Sequence, residues 1–217
     1  FTTWIMHGAN PDKKLIFALP RKTTGAAWGE QRGGLFLPVI PGTDVTLHLA
    51  IARIILENGW EDKEFIEKWV ANDWEIDIGM GRGPRNTPVE WFTTWGRYGV
   101  GFDAYRKWIL DYKYADLDTA AQLTGVPATL IRKAAEMLAK PRPDGSRPKA
   151  SFMLEKGIYW CNNLGNTTSF SALGLLCGAG NRPGRVISRA GGHQRGWMGG
   201  GDYPRGLSPE KFPGRRK

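Results

Sequence analysis

Apolar residues in this chain form short continuous runs towards both ends and spaced stripes between them. Leu15-Ile16-Phe17-Ala18-Leu19, closed by Pro20, is unbroken by any polar residue, as expected of a strand buried on both faces of a parallel sheet. Gly34 to Ile40 holds a second such run, and Arg21 to Gly25 between them reads as a polar turn. Thr43 or Asp44 supplies a capping oxygen for a helix running to about Asn58-Gly59. Val45, Leu49, Ala52, Ile55 and Leu56 share one stripe of it, and Leu47, Ile51 and Ile54 widen that stripe, so the helix should be well buried. His48 lies within the stripe and reads as a satisfied core residue.

Further along, Asp62 to Ala71 predicts a short amphipathic helix with Phe65, Ile66, Trp69 and Val70 on one side. The stretch 73–101, rich in Gly, Pro, Trp and Arg, has no clear period and reads as irregular. Helical spacing returns over 102–113 and 128–139; in the second, Leu130, Ile131, Ala134, Ala135 and Leu138 share a face behind Pro127. Pro141 to Pro148 reads as a surface loop, Ser151 to Leu154 as a strand, and Thr167 to Cys177 as a helix ending near Gly178, with a loop-like remainder. This order predicts an α/β fold, a partial Rossmann-like parallel sheet flanked by helices. Segments of about 1–60 and 149–217 are expected to face a ligand, with about 61–148 a helical or irregular insertion. A start at Phe1 without Met and an end in Arg215-Arg216-Lys217 read as the cut ends of an interior piece of a longer protein.

Thirty Lys and Arg against 21 Asp and Glu give a net charge of +9 and a pI near 9.7, which permits an anionic partner such as nucleic acid, lipid or a phosphorylated cofactor. The basic residues are spread along the chain, with one concentration over Arg182 to Arg195. No apolar run approaches the ~18 residues of a membrane span, and no export signal is visible. Two cysteines without a CxxC pair argue against a self-contained iron–sulfur or zinc site. Cys177, in an apolar run, reads as a buried small residue, and a disulfide to Cys161 stays open.

Three loops combine polar residues and Gly at strand ends or helix starts, where backbone N–H groups favour an anion such as a pyrophosphate: Pro20 to Gly25, Pro41 to Asp44, and Glu155-Lys156-Gly157. Ligands of open α/β sheets collect beyond the carboxyl ends of strands, so the three are expected to line one nucleotide-like cofactor. Taken singly, each is equally a turn or a helix cap. The segment Gly180-Asn181-Arg182-Pro183-Gly184, continuing through Arg185 to Arg189, His193, Gln194 and Arg195, sets guanidiniums, as forked donors to an oxyanion, and an imidazole among glycines. By composition alone it is as readily a basic surface loop. His7, in a Gly-Ala-Asn-Pro loop, reads as exposed.

These residues in this order resemble the molybdopterin oxidoreductase family of dimethyl sulfoxide reductase, periplasmic nitrate reductase and formate dehydrogenase. The matching pieces are Leu15 to Thr23, Pro41-Gly42-Thr43-Asp44 opening a helix, and Leu175 to Gly178 running into Asn181-Arg182-Pro183-Gly184. Leu19 stands where the family usually has Asp. Glu155 to Trp160 and Arg189-Ala190-Gly191-Gly192-His193-Gln194 are similar to the arsenite oxidase large subunit in particular.

The resemblance implies oxidation of arsenite to arsenate by oxygen-atom transfer at a molybdenum bis(molybdopterin guanine dinucleotide) centre. It implies that Arg189 and His193 hold the substrate, that Asp44 helps fix the guanine end of one cofactor, and that Gly42 is a cofactor contact. Lys156 and Gly157 would lie near the pterin or phosphates, with Arg21, Thr23 and Gln194 also facing cofactor. It further implies an iron–sulfur cluster ligated outside this chain, a Rieske-type small subunit, a cytochrome c or azurin-like electron acceptor, and a periplasmic setting. The rival expectations are a relative acting on nitrate, formate or a similar oxyanion, a basic nucleic-acid-binding module, and a purely structural α/β domain.

Overall fold

The computed structural model describes residues 12–70, 72, 82–83, 87–88, 101–154, 157–158, 163–180 and 182–189, with backbone alone at 82–83, 87–88, 163–164 and 189. Two strand–helix–strand units stand near its two ends. In the first, β1 (Ile16–Leu19) leads into α1 (Thr24–Gln31) and back to β2 (Leu35–Pro38), which pairs parallel to β1 with Leu19 opposite Pro38. In the second, β5 (Phe152–Leu154), α7 (Asn163–Leu176) and β6 (Ile187–Arg189) repeat the plan, with Leu154 opposite Arg189. Between them lie α2 (Asp44–Glu57), α3 (Lys63–Trp69), a short antiparallel pair of β3 (Arg82–Gly83) and β4 (Thr87–Pro88), α4 (Phe102–Asp111), α5 (Leu117–Thr124) and α6 (Ala128–Ala139). The class is α/β, as the sequence predicts, built here on two separate parallel pairs. No helix among the described residues is long and apolar enough to cross a membrane.

α2 is the axis of the core. Leu47, Leu49, Ala50, Ile51, Ala52, Ile54, Ile55 and Leu56 are all buried, so the helix is apolar nearly all round and must be covered on every side. α4, α5, α6 and α7 supply the cover. A fully enclosed side chain such as Ile55 contributes roughly 1.5–3 kcal/mol through removal of its surface from water. At the end of α2 the Asn58 side chain donates to the Ile54 carbonyl at 2.8 Å, and Gly59 takes the left-handed conformation, φ 64, that turns the chain away. α6 buries Ile131, Ala134 and Ala135 on its predicted face.

Several local expectations need correction. The Arg21 to Gly25 turn is shorter than predicted: Thr23 caps α1, its hydroxyl accepting from the Ala26 N–H at 3.2 Å, so helix starts at Thr24. A helix with few apolar residues is hard to see by periodicity. β1 is not buried on both faces, since Ala18 is exposed and its neighbours are half-buried. Trp69 does not join the apolar side of α3; it is 68% exposed, with the Lys68 ammonium 5.5 Å from its ring centroid. The chain beyond Gly178 is not all loop, because β6 returns to pair with β5.

Gly34 is demanded by the first unit. A Cβ there would fall on the carbonyl oxygens of Leu15 and Gly29, both backbone atoms that cannot swing aside. Gly145 also has a positive φ, 78, but open space around it. In chemical denaturation, Gly34→Ala should therefore cost roughly 3 kcal/mol by overpacking. Gly145→Ala should cost only the left-handed penalty of about 1–2 kcal/mol.

Candidate functional site

Parallel pairing decides which loops can meet. Beyond Leu19 and Pro38, the paired ends of β1 and β2, the chain continues into 20–23 and 39–44 respectively. Beyond Leu154 and Arg189, the paired ends of β5 and β6, it continues into 155–158 and onward from 190. The two pairs are related through the helices that follow them. α2 and α7 pack side by side in the same sense: His48, in the second turn of α2, meets Ser169 at 2.9 Å, and the Asp62 N–H, just past α2, donates to the Leu176 carbonyl at 2.8 Å. The starts of both helices thus lie at one end of the molecule, and the carboxyl ends of all four strands lead there.

Pro41-Gly42 forms a tight turn at that end. The Thr43 N–H donates to the Ile40 carbonyl at 3.1 Å, and Gly42 has φ 90, the arrangement of a type II turn with Pro and Gly in its two central places. Thr43 is in the N-cap position, but its hydroxyl donates to the Ile40 carbonyl at 2.7 Å and caps nothing. Asp44 occupies the first turn of α2, where the helix dipole favours a carboxylate. The turn is braced from behind by the Ile40 N–H on the Thr124 carbonyl, 2.9 Å. Gly42 and Gly157 are both exposed, and a Cβ built on either meets nothing within 4 Å, so a ligand can approach the backbone at each. Arg21 is exposed with no ion-pair partner among the described residues, whereas Lys22 bonds Glu30 at 2.6 Å. An exposed cation, an open glycine in a turn and an open glycine at a helical position suit an extended phosphorylated ligand. Thr23 is exposed, and with its hydroxyl oxygen accepting from Ala26 its O–H proton is left to donate to such a ligand.

The arginine-rich segment divides in two. Arg182 and Arg185 are structural, contrary to their reading as oxyanion donors. The Arg182 guanidinium bonds Asp62 at 2.6 Å and the Gly178 carbonyl at 2.7 Å, and stacks 4.7 Å from the Phe65 ring centroid. Arg185 closes a turn with Arg182, its Nε donating to the Pro148 carbonyl at 3.4 Å. Gly178 and Gly180 are small for the same reason: a Cβ would strike the Asp62–Arg182 pair or the Phe65 ring. Arg189 is placed differently, at the carboxyl end of β6, with its side chain outside the described residues. Lys156, His193 and Gln194, together with His7 and Cys161, also lie outside them.

Buried polar residues add what the sequence reading missed. Asn166 and Ser169 are almost fully enclosed in α7. Ser169 donates to the Asn166 carbonyl at 3.1 Å, and Asn166 Nδ2 donates to the Ile158 carbonyl at 2.9 Å. His48 is a satisfied core residue, as expected, and burial lowers its pKa to about 4. Cys177 is buried and free, its thiol pushed up to about 12 by burial. A separate cavity of about 560 Å³ between α3 and α4, lined by residues of both signs including Glu61, Lys63, Asp103 and Arg106, contains none of the predicted site residues.

Two measurements follow from these buried groups. Burial alone would raise the Asp62 carboxyl, but the Arg182 and Phe65 hydrogen bonds outweigh it and hold it below the ordinary range. Asp62→Ala removes both the ion pair and the cap of α3, and should cost roughly 3 kcal/mol in unfolding free energy. For His48, the folded pKa of about 4 lies below the unfolded 6.5, so its contribution is full above pH 6.5 and lost as pH falls towards 4. Hydrogen-exchange protection of the α2 amides should fall by about 30-fold between pH 7 and pH 5, a difference of ~2 kcal/mol, and His48→Asn should abolish that part of the pH dependence.

No family model matches the chain. It is 60% identical over 218 residues to the iodate reductase subunit IdrA of Denitromonas iodatirespirans and 57% identical over the same length to that of Pseudomonas sp. (strain SCT). Each alignment covers 100% of this chain and 24% of the relative, so the chain spans about a quarter of their length. The arsenite oxidase subunit AioA of Herminiimonas arsenicoxydans is 31% identical over 189 residues, covering 85% of the chain and 19% of the relative. Among solved structures, acetylene hydratase from Pelobacter acetylenicus matches 79% of this chain and 16% of its own at 27% identity, with a TM-score of 0.43. The expected likeness to arsenite oxidase is therefore present but weaker than that to the iodate reductase subunits. Identity of this order along the whole chain places it in the dimethyl sulfoxide reductase family of molybdopterin oxidoreductases.

Proposed function

We propose that this chain is the cofactor-facing part of a molybdopterin oxidoreductase that acts on a small oxyanion, with iodate the leading substrate. The observation that carries the reading is the parallel register of β5 and β6, Leu154 beside Arg189. It sets side by side the strand ends that lead into Glu155-Lys156-Gly157 and into the Arg189 to Gln194 segment. Phosphate-binding backbone and oxyanion-binding side chains would then share one end of the fold. The identity of 60% to an iodate reductase subunit supports iodate over other oxyanions. Arsenite is the second reading, favoured by the 31% identity to AioA.

The cofactor, a molybdenum held by two molybdopterin guanine dinucleotides, supplies two-electron oxygen-atom transfer when bound. The chain's own residues bind and orient. Gly42 and Gly157 let backbone N–H groups approach the dinucleotide, Arg21 offsets phosphate charge, and Asp44 accepts from the guanine. Lys156 and Gln194 complete that contact, with Thr23 donating through its hydroxyl. Arg189 orients the oxyanion by forked donation, and His193 holds or delivers one of the two protons taken up, with two electrons, for each oxygen that leaves as water. Segments 1–60 and 149–217 face the cofactor in this scheme, and 61–148 backs them. A small iron–sulfur subunit exchanging electrons with a cytochrome c or azurin-like protein, in the periplasm, completes the reading.

The test uses the full-length parent, purified and assayed with iodate, arsenite, nitrate and formate. Iodate reduction should exceed the other activities, and Arg189→Ala should lower kcat/KM for iodate by at least about 100-fold, or ~3 kcal/mol, with molybdenum content unchanged. A parent that carries no molybdenum or pterin overturns the assignment. Preferential arsenite oxidation would select the second reading.

A further inference from the structure

Three hydrogen bonds run end to end from α2 to the helical residues Gly157-Ile158. His48 Nδ1 lies 2.9 Å from Ser169 Oγ, Ser169 Oγ donates to the Asn166 carbonyl at 3.1 Å, and Asn166 Nδ2 donates to the Ile158 carbonyl at 2.9 Å. With the one Ser169 hydroxyl proton on the Asn166 carbonyl, Ser169 accepts from His48. In that arrangement the neutral imidazole carries its proton on Nδ1. His48 stands one turn after Asp44, about 6 Å along the helix axis. The chain of bonds thus begins beside the Pro41 to Asp44 turn and ends on the residue after Gly157.

The imidazole is also fixed sideways. Its ring meets Phe170 edge-on at 5.3 Å, and Phe170 meets Phe152 of β5 edge-on at 5.7 Å. A contact between two apolar helices needs no such polar group: leucine or alanine would fill the space without the cost of desolvating an imidazole, a hydroxyl and an amide. What polar bonds add is direction. Apolar side chains let two helices slide or rotate by small amounts, while the directional His48–Ser169 bond between them restricts both, and the two bonds beyond it carry that constraint through α7 to Ile158.

We propose that His48, Ser169 and Asn166 are positioning residues, which hold the helical residues Gly157-Ile158 at a set distance and angle from the Pro41-Gly42 turn so that both engage one phosphorylated dinucleotide. None of the three touches the ligand. They act through the backbone of 157–158 and through the first turn of α2. This rests on the reading of the chain as cofactor-facing.

The experiment compares the full-length parent with His48→Phe, His48→Asn and Ser169→Ala. Molybdenum and pterin per polypeptide are measured after gel filtration, alongside hydrogen exchange of the α2 amides. His48→Phe keeps a ring against Phe170 and loses the donor, whereas His48→Asn keeps an N–H near the place of Nδ1. His48→Phe and Ser169→Ala should each lose cofactor about tenfold faster than wild type with α2 protection retained, since each removes the one hydrogen bond of the three that joins α2 to α7, and His48→Asn should largely restore retention.

Wild-type retention in both defective variants overturns the proposal. So does loss of α2 protection with normal cofactor content per folded molecule, which would mark a structural role, or equal loss in His48→Asn. If His48→Phe does not fold, Ser169→Ala decides; if neither folds, the bonds serve folding and the proposal falls. A wild-type parent without molybdenum or pterin is a different outcome, which removes the cofactor reading itself and this inference with it.

Discussion

α2 and α7 are fastened to each other at two levels by polar contacts set in an otherwise apolar seam. His48 in the second turn of α2 meets Ser169 midway along α7, and past the end of α2 the Asp62 N–H bonds the Leu176 carbonyl at the end of α7 while the Asp62 carboxylate bonds Arg182. The two helices come from different strand–helix–strand units, so this contact determines how those units sit relative to each other. Were α2 and α7 to run in opposite senses, the Pro41-Gly42 turn and Gly157 would be a helix length apart. No single ligand would then meet both.

The glycines separate into those that serve packing and those that leave room. Gly34, Gly178 and Gly180 have backbone, an ion pair or an aromatic ring where a side chain would be. Gly42 and Gly157 have open space there, at the end where four strands terminate. The same distinction sorts the basic residues: Arg182, Arg185 and Lys22 hold protein, while Arg21 is exposed and unpaired among the described residues. A net charge of +9 is thus partly structural, and the fraction available to an anionic ligand is set by which guanidiniums already have partners.

Strong apolar periodicity made much of the fold legible in advance. The α2 helix, the face of α6, the strands β1, β2 and β5, and the burial of His48 and Cys177 all follow from residue spacing, because burial of that much apolar surface leaves few alternatives. α1 was not legible, since Thr24 to Gln31 has few apolar residues and owes its start to the Thr23 cap. β6 was not legible either, since a strand of Ile187–Arg189 is too short to show a period. Trp69 misled because an indole can lie on solvent beneath a lysine as well as in a core.

By itself the sequence determined the α/β class, the buried helix at the centre, and the motifs that carry the family resemblance, because each depends on residues close together in the chain. Only the tertiary structure decided which motifs meet. The register that sets Leu154 beside Arg189, the pairing of Arg182 with Asp62, and the bonds from His48 to Ile158 join residues far apart in the chain. No local spacing encodes such contacts, since they arise when separate apolar faces find the one packing that satisfies all their buried polar groups.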